Sequence, residues 1–482
     1  MKNLEDVKSI YFVGIGGIAM SAVACLAKQK GYEVSGSDSQ AVYDPAKNVL
    51  DRLKISYHLG YDAAHVSAAA ADLYVLSAGE SETNPEVKEI LSQSLARCGF
   101  AELLHEMFKE SLRVVVAGTH GKSTTAGLLG HLLRHLDNSS YIVGGVLQNY
   151  QNNFYAGDGH YAVFEGDEYK AQFDDPTPKF QYYKPDILVL TNLELDHPDV
   201  FSSVEELEDE FRQLIASLPE DGLIVYNADD ARLARLVHET DLTSVSFGIE
   251  NSADLQVEFV EYGEYTKFKV KNSLSKDATA KLLGLTEDYQ IQLPGQLNVY
   301  NALACIACLR ALGFQPESFA LDLLSYAGIK RRFELVGSSH GAVLIDDYAH
   351  HPTAVKETLA AARLKYPGSR IWAIFEPHTF SRTKATLPEL AGSFEAADQI
   401  LISEIYPARE SVKDASVASG EVIEAIKKHM EQKALAVRLV KDKDEALKIL
   451  KAELRPGDVV VVMAVGNFNR LAYELKETKN AA

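Results

Sequence analysis

The chain has 482 residues, enough for about three domains of ordinary size, which excludes a single small module. Acidic residues outnumber basic ones by 68 to 48, and the formal net charge of −20 disfavours non-specific contact with nucleic acid or an anionic membrane, so any bound nucleotide is a small molecule. No apolar run approaches the roughly 20 residues of a membrane helix, and the start, Met1 to Asp6, lacks a signal-peptide pattern; the expectation is a soluble, cytoplasmic protein with no membrane and no nucleic-acid partner.

The first block opens with an apolar strand, Ser9 to Val13, followed by Gly14-Ile15-Gly16-Gly17-Ile18 and a helical pattern reaching about Lys30. Strand, glycine turn and helix in this order hold a diphosphate at the helix N-terminus. A second strand, Glu33 to Gly36, ends at Asp38, where a Rossmann carboxylate meets a ribose hydroxyl. Ala19 replaces the third glycine of the dinucleotide pattern, so both a dinucleotide and another diphosphate ligand fit. The strand Leu73 to Ser77 continues the parallel sheet, Asn84-Pro85 starts another helix, and the block runs to about residue 110.

The second block begins with Val114-Val115-Val116-Ala117-Gly118-Thr119-His120-Gly121-Lys122-Ser123-Thr124-Thr125. An apolar strand breaks at glycine, delivers a lysine and hydroxyls, and enters a helix. Such a turn cradles phosphates with backbone N–H groups, neutralises the outer phosphates with Lys122 and offers the Ser123 hydroxyl to Mg²⁺, so ATP or GTP is expected. Val116 stands where the usual first glycine falls, which makes this a shortened variant of the loop. The strand Tyr161 to Glu165 runs into Glu165-Gly166-Asp167-Glu168, and Ile187 to Thr191 runs into Asn192-Leu193-Glu194-Leu195-Asp196-His197. In an open parallel sheet ligands sit at the carboxyl ends of strands, so Lys122, Ser123, Glu165 and His197 are expected to converge.

Alternation between Asp254 and Val270, with a turn at Gly263, predicts an antiparallel hairpin. A long helix follows from about Gln296, carrying Asn298 and Asn301 three residues apart; they read either as an adenine-binding pair or, for Asn298, as a helix cap. Cys305 and Cys308 lie within this apolar helix and, with only Cys25 and Cys98 elsewhere, read as buried core thiols rather than a metal or disulfide framework.

The third block starts near Ile329-Lys330-Arg331-Arg332-Phe333. Its strands again empty into polar segments: Val343 to Ile345 into Asp346-Asp347-Tyr348-Ala349-His350-His351-Pro352, Ile371 to Phe375 into Glu376-Pro377-His378-Thr379-Phe380-Ser381-Arg382, and Ile400 to Ser403 into Glu404-Ile405-Tyr406-Pro407. The fold class is therefore α/β throughout.

Together, in order and spacing, these motifs resemble the Mur ligase family, ATP-dependent ligases that build the peptide of bacterial cell-wall precursors, along nearly the whole chain. The resemblance implies a Rossmann-like N-terminal domain binding a UDP-sugar (1–110), a central P-loop ATPase domain with a mostly parallel sheet (111–328) and a Rossmann-like C-terminal domain for the amine substrate (329–482). It implies nucleotide contacts from Gly118, Thr119, His120, Gly121, Lys122, Ser123, Thr124, Asn298, Asn301 and Asp347. Mg²⁺ would be held by Ser123, Glu165 and His197, and phosphate charge would be met by Arg331 or Arg332. Gly14, Gly16, Gly17, Ile18, Asp38 and Ser77 would meet the UDP-substrate, and Tyr348, His350 and Arg382 the amine. Glu210-Phe211-Arg212 stands where several relatives carry a carbamylated lysine, so no carbamate is expected. The glycine turn is similar to that of the branch acting directly on UDP-N-acetylmuramate. Within that branch, Glu165 to Tyr169 and Leu193 to His197 look like a recycling ligase that attaches a ready-made tripeptide, whereas the C-terminal motifs look like the L-alanine-adding enzyme; the C-terminal domain contributes most to amine choice, which favours L-alanine. A regulatory nucleotide-binding P-loop protein would explain Lys122 but not the third block, and a nicotinamide dehydrogenase would explain only Gly14 to Asp38. The pattern leaves monomer and homodimer open, and the family architecture implies domain closure on ligands.

Overall fold

Short apolar runs bounded by glycine or polar residues form the strands, and most are buried on both faces, as parallel sheets covered by helices require. The computed structural model describes residues 3–39, 41–195, 201, 203–274, 285–408, 410–411, 416–430 and 436–476. By contacts the chain divides into two units, the first comprising Met1–Glu258, Lys269–Tyr289 and Tyr300–Tyr326, the second Phe259–Phe268, Gln290–Val299 and Ala327–Ala482.

Among the described residues the first unit contains two large sheets with separate chain segments and one small strand pair. In one, β1 (Ser9–Val13), β2 (Glu33–Asp38), β3 (Ser56–Leu59), β4 (Leu73–Leu76) and β5 (Arg97–Gly99) run parallel in the order β3-β2-β1-β4-β5. The order reverses between β1 and β4, so the crevice at their carboxyl ends is the topological switch point. The turn after β1 and Ser77 after β4 face each other there.

The other sheet is built from β6 (Leu112–Ala117), β7 (Ser140–Leu147), β8 (Asn152–Tyr155) and β9 (Tyr161–Glu165). After the small antiparallel pair β10 (Lys170–Gln172) and β11 (Asp175–Pro178), it gains β12 (Ile187–Leu190), β13 (Leu223–Asn227) and β14 (Thr243–Gly248). The order is β14-β13-β12-β6-β9-β7-β8, parallel except for the last pair. β6 is central, between β12 and β9, which aims the loops after all three at one place. Beyond β14 the sheet is extended by β15 (Leu255–Glu261), β16 (Thr266–Asn272) and β17 (Leu285–Ile291), and the division between the units falls within these strands. β15 and β16 flank Gly263, as the alternation predicts. Helix Gln296–Ala311 follows, and Cys305 and Cys308 are fully buried in it, their thiol pKa values raised by burial.

The second unit holds a sheet of β18 (Glu334–Ser339), β19 (Ala342–Asp347), β20 (Ile371–Phe375), β21 (Gln399–Ser403), β22 (Ala436–Val440) and β23 (Val459–Met463) in the order β18-β19-β23-β20-β21-β22. Only β18 and β19 pair antiparallel. Alternate residues of β20 enter different cores: Ile371, Ala373 and Phe375 pack on one face, Trp372 and Ile374 on the other. Trp372 is fully buried, and its indole N–H donates to Asp458 Oδ2 at 3.1 Å, a carboxylate that also pairs with Arg370.

Replacing Trp372 by alanine should remove this packing and leave a cavity, lowering the stability of the second unit by ~3–5 kcal/mol. Denaturant unfolding followed by circular dichroism tests it; a loss below ~1 kcal/mol would mean that the neighbouring helices collapse into the space.

Candidate active site

The turn after β1 is built for close approach. Gly14 has φ 81°, and a Cβ there would lie 2.9 Å from Ser77 Cβ and 3.0 Å from Glu80 Oε1. Both Gly14 N–H and Ile15 N–H donate to the Ser37 carbonyl at 2.9 Å, and Gly16 N–H donates to Asp38 Oδ2 at 2.8 Å. Asp38 thus anchors the turn through one oxygen at the place where the sequence reading put a ribose contact. Gly17 is the N-cap of helix Ile18–Gln29 and carries no capping side chain, so the first amides of the helix, from Ile18 on, are presented at the turn. Below it lies Glu86, a fully buried carboxylate that the sequence reading missed. It accepts from Ser37 Oγ, from Tyr11 OH at 3.4 Å and from Asp62 N–H at 3.3 Å, and lies 2.8 Å from His65 Nδ1. Its signal was only Asn84-Pro85-Glu86 at a helix start, which reads as a first-turn acid rather than a buried one.

The second cluster surrounds the loop between β6 and helix Lys122–Asp137. Gly118 (φ 139°) and Gly121 (φ 81°) give the loop its shape; a Cβ on Gly118 would collide with Thr191 Oγ1 and one on Gly121 with Asn301 Oδ1. The segment after β12 locks the loop from the side. Thr119 N–H donates to Asn192 O at 2.9 Å, His120 N–H to Asn192 Oδ1 at 2.7 Å, and Thr191 Oγ1 to His120 O at 2.8 Å. The His120 ring lies 3.2 Å from Glu194 Oε2. Asn192 therefore shapes the cradle through its side chain as well as its backbone.

Lys122 Nζ donates to Gly118 O at 2.5 Å and Thr119 O at 3.1 Å and pairs with Glu168 Oε2 at 2.9 Å. Burial works to lower the Lys122 pKa, but the carboxylates of Glu168, Asp167 and Glu165 outweigh it, and the ammonium is held above its ordinary value. Each acid at the carboxyl end of β9 has its own partner: Ser123 Oγ donates to Glu165 Oε1 at 2.6 Å, Lys179 Nζ to Asp167 Oδ2 at 2.7 Å, and Lys122 to Glu168. Glu165 also accepts from Gly144 N–H at 2.6 Å. Two hard oxygen donors, Ser123 Oγ and Glu165 Oε1, thus adjoin beside the loop, a donor set of the kind Mg²⁺ takes. Thr124 is buried in the first turn of the helix. His197 lies outside the described residues. The two asparagines differ: Asn301 is buried and accepts from Thr125 Oγ1 at 3.1 Å, packing beneath Gly121, whereas Asn298 donates to Pro294 O at 2.7 Å, back toward the helix start.

In the second unit, Arg331 and Phe333 take positive φ values, 61° and 49°, which turns the chain sharply before β18. Asp347, at the end of β19, holds that turn: its Oδ2 accepts from Phe333 N–H and its Oδ1 from Ala349 N–H, both at 2.7 Å. Burial raises the Asp347 pKa against the opposing charge of Arg332. Arg331 donates to Ala464 O at 2.6 Å, and Arg331 and Arg332 lie over the Tyr348 ring at 4.9 and 5.3 Å. Asp346 beside it is pushed up to about 6 by burial, against the pull of Arg331. From Tyr348 a ring series continues through His350 (5.4 Å) to His378 (5.5 Å) and Tyr406 (5.9 Å). The buried Arg382 reaches His378 Nδ1 at 3.4 Å. Tyr348, His350 and Arg382 are therefore gathered in one neighbourhood, with His378 between the last two.

A glycine turn at a Rossmann switch point, a lysine-bearing glycine loop ringed by acids and a second α/β unit with a cationic and aromatic patch suit an enzyme that uses a nucleotide. Family models agree: the Mur ligase family catalytic domain matches residues 9–111, the Mur ligase middle domain 116–309, and the Mur ligase glutamate ligase domain 331–466. UDP-N-acetylmuramate–L-alanine ligase of Caldanaerobacter subterraneus is 34% identical over 482 residues, covering 98% of both chains. Among solved structures, UDP-N-acetylmuramate–alanine ligase of Thermotoga maritima aligns with TM-score 0.77 at 23% identity, over 97% of this chain and 98% of that one. A murein peptide ligase of Psychrobacter arcticus aligns with TM-score 0.69 at 28% identity, with the same coverage. The chain belongs to the Mur ligase family. It is an ATP-dependent, ADP-forming ligase with an α/β fold of three Mur ligase domains.

Because the folded-state pKa of Lys122 is raised, its stabilising charge is complete below the ordinary lysine range and is lost only as pH rises through the raised value. Removing the largest of the supporting charges with Glu168→Gln lowers the Lys122 pKa, so the alkaline limb of kcat/KM for ATP should move to lower pH than in wild type. Superimposable pH profiles would show that Glu168 does not set the Lys122 charge.

Proposed function

We propose that the chain joins L-alanine to the lactyl carboxylate of UDP-N-acetylmuramate, converting ATP to ADP and phosphate, in the synthesis of peptidoglycan precursors. The observation that carries this reading is the likeness, at 31–34% identity over nearly the full length, to eight ligases named for that reaction. A carboxylate is a poor electrophile, so it first attacks the γ-phosphorus and ADP leaves; the amine then attacks the acyl phosphate carbon and inorganic phosphate departs. Lys122 and the loop amides near Thr119 and Gly121 stabilise charge growing on the phosphoryl oxygens, an electrostatic effect strengthened by burial. Ser123 and Glu165 are the residues that would hold Mg²⁺, with His197 for a second ion; bound there, the ion supplies neutralisation of phosphate charge.

The glycine turn with Gly14, Gly16, Gly17, Ile18, Asp38 and Ser77 is assigned to the UDP-sugar diphosphate, with Asp38 acting through the turn it anchors. Asn298 and Asn301 are assigned to adenine, Asn301 from beneath Gly121. Arg331 and Arg332 offer guanidinium charge to phosphate, and Tyr348, His350 and Arg382 form the amine subsite. Domain limits at 110 and 328 accompany this reading, with action in the cytoplasm; among the described residues no helix is long and apolar enough to cross a membrane. The likeness to a murein peptide ligase supports a second reading, in which the amine is a tripeptide rather than L-alanine.

Phosphate release from ATP with UDP-N-acetylmuramate, run with L-alanine and separately with L-alanyl-γ-D-glutamyl-diaminopimelate, separates the two. Turnover with alanine is expected; turnover with the tripeptide alone would replace the first reading by the second. Lys122→Ala should lower turnover by ~10²–10³-fold or more while circular dichroism stays unchanged. Retained turnover would remove Lys122 from the phosphate site.

A further inference from the structure

The far half of the phosphate-loop helix carries a cluster that the ligase reaction does not use. His131 and His135 stand four residues apart on Lys122–Asp137, so their rings share one face, with centroids 4.6 Å apart. Facing them is helix Pro316–Ser325, which supplies Asp322 and Ser325. The Tyr150 hydroxyl touches both rings from the other side, 2.6 Å from His131 Nδ1 and 3.1 Å from His135 Nε2. Both remaining nitrogens point toward the facing helix. His135 Nδ1 lies 2.6 Å from Asp322 Oδ1, and His131 Nε2 lies 3.0 Å from the Asp322 carbonyl oxygen and 3.0 Å from Ser325 Oγ.

We propose that His131, His135 and Asp322 form a binding site for a divalent transition metal of the zinc class, which ties the phosphate-loop helix to helix Pro316–Ser325. One ligand atom from each residue lies within 4.8 Å of the others. Ligands ~2.0–2.2 Å from a single ion span up to ~4.4 Å, so small side-chain rotations close the set. Two imidazoles and one carboxylate select zinc-like ions over Mg²⁺, which prefers oxygen alone. With an ion bound, the Tyr150 oxygen would accept an N–H from each ring, a tautomer that turns a lone pair on each opposite nitrogen toward the ion, the outer-shell arrangement that orients metal-bound histidines.

Any hydrogen between His135 Nδ1 and Asp322 Oδ1 has to leave that contact as the ion enters, to the far ring nitrogen or to solvent. Entry is open from outside: the side chains of His135 and Asp322 are 37% and 31% exposed. The site lies at the opposite end of the helix from Lys122 and is chemically distinct from the Ser123–Glu165 pair, which offers only oxygen.

The test titrates Co²⁺ into the full chain in excess Mg²⁺, reading cobalt's visible absorption, and then displaces it with Zn²⁺. Wild type should bind one ion whose spectrum reports nitrogen ligands. His135→Gln and Asp322→Asn alter partly exposed side chains, and their circular dichroism and ATP turnover verify folding; each should weaken the ion by ~10–100-fold or more. Absence of the absorption band in wild type, or equal affinity in wild type and either variant, overturns the proposal and leaves the cluster a hydrogen-bonded clasp.

Discussion

The site depends on a buried ammonium that is kept charged. Lys122 loses its water to the loop and its neighbours, a change that by itself favours the neutral amine. The acids after β9 reverse that preference, and they do so from a strand hydrogen-bonded directly to β6. Sheet register thus sets an electrostatic quantity: Val116, just before the loop, pairs with Glu165, so the acidic segment begins level with the phosphate loop. The Gly166 N–H then bonds the Val116 carbonyl at 2.8 Å and carries the pairing into the loop. A slip of one residue along this ladder would turn Glu165 away from Ser123.

Constraint of the same kind recurs at the other strand ends. Asp38 holds the glycine turn, Asn192 holds the phosphate loop and Asp347 holds the Arg331–Phe333 turn, each with short polar bonds to backbone N–H groups. In all three places a side chain at the carboxyl end of a strand fixes a loop from the neighbouring connection. Backbone polar groups in such loops cannot pair within the sheet, and these side chains satisfy them.

Much of this was legible in the sequence because the strands are short apolar runs and their carboxyl ends are polar. The glycine turn, the phosphate loop, the acidic segment, β15 and β16 around Gly263, and the core placement of Cys305 and Cys308 all follow from local pattern. What the sequence hid is the contact made by a residue rather than its location. The position of Asp38 predicts a ribose contact and the family resemblance implies a nucleotide contact for Asp347; neither reading shows that these carboxylates also accept from backbone amides. Asn298 and Asn301 share a helix and a spacing but not an environment, since one turns back to Pro294 and the other is buried against Thr125. Glu86 gave no signal of burial, which is decided by Tyr11, Ser37 and His65, from three other elements. Long-range contacts of this type are invisible to periodicity.

Trp372 is the chain's one tryptophan, set in the second unit beside Arg370 and Asp458, whereas the 23 tyrosines are spread along the sequence. Its emission is therefore a local optical reporter of one unit, while the far-ultraviolet signal averages over both. Coincident transitions in the two signals would mark concerted unfolding of the chain, and separated ones would mark units that melt in turn. The protein carries this diagnostic of its own cooperativity without any added label.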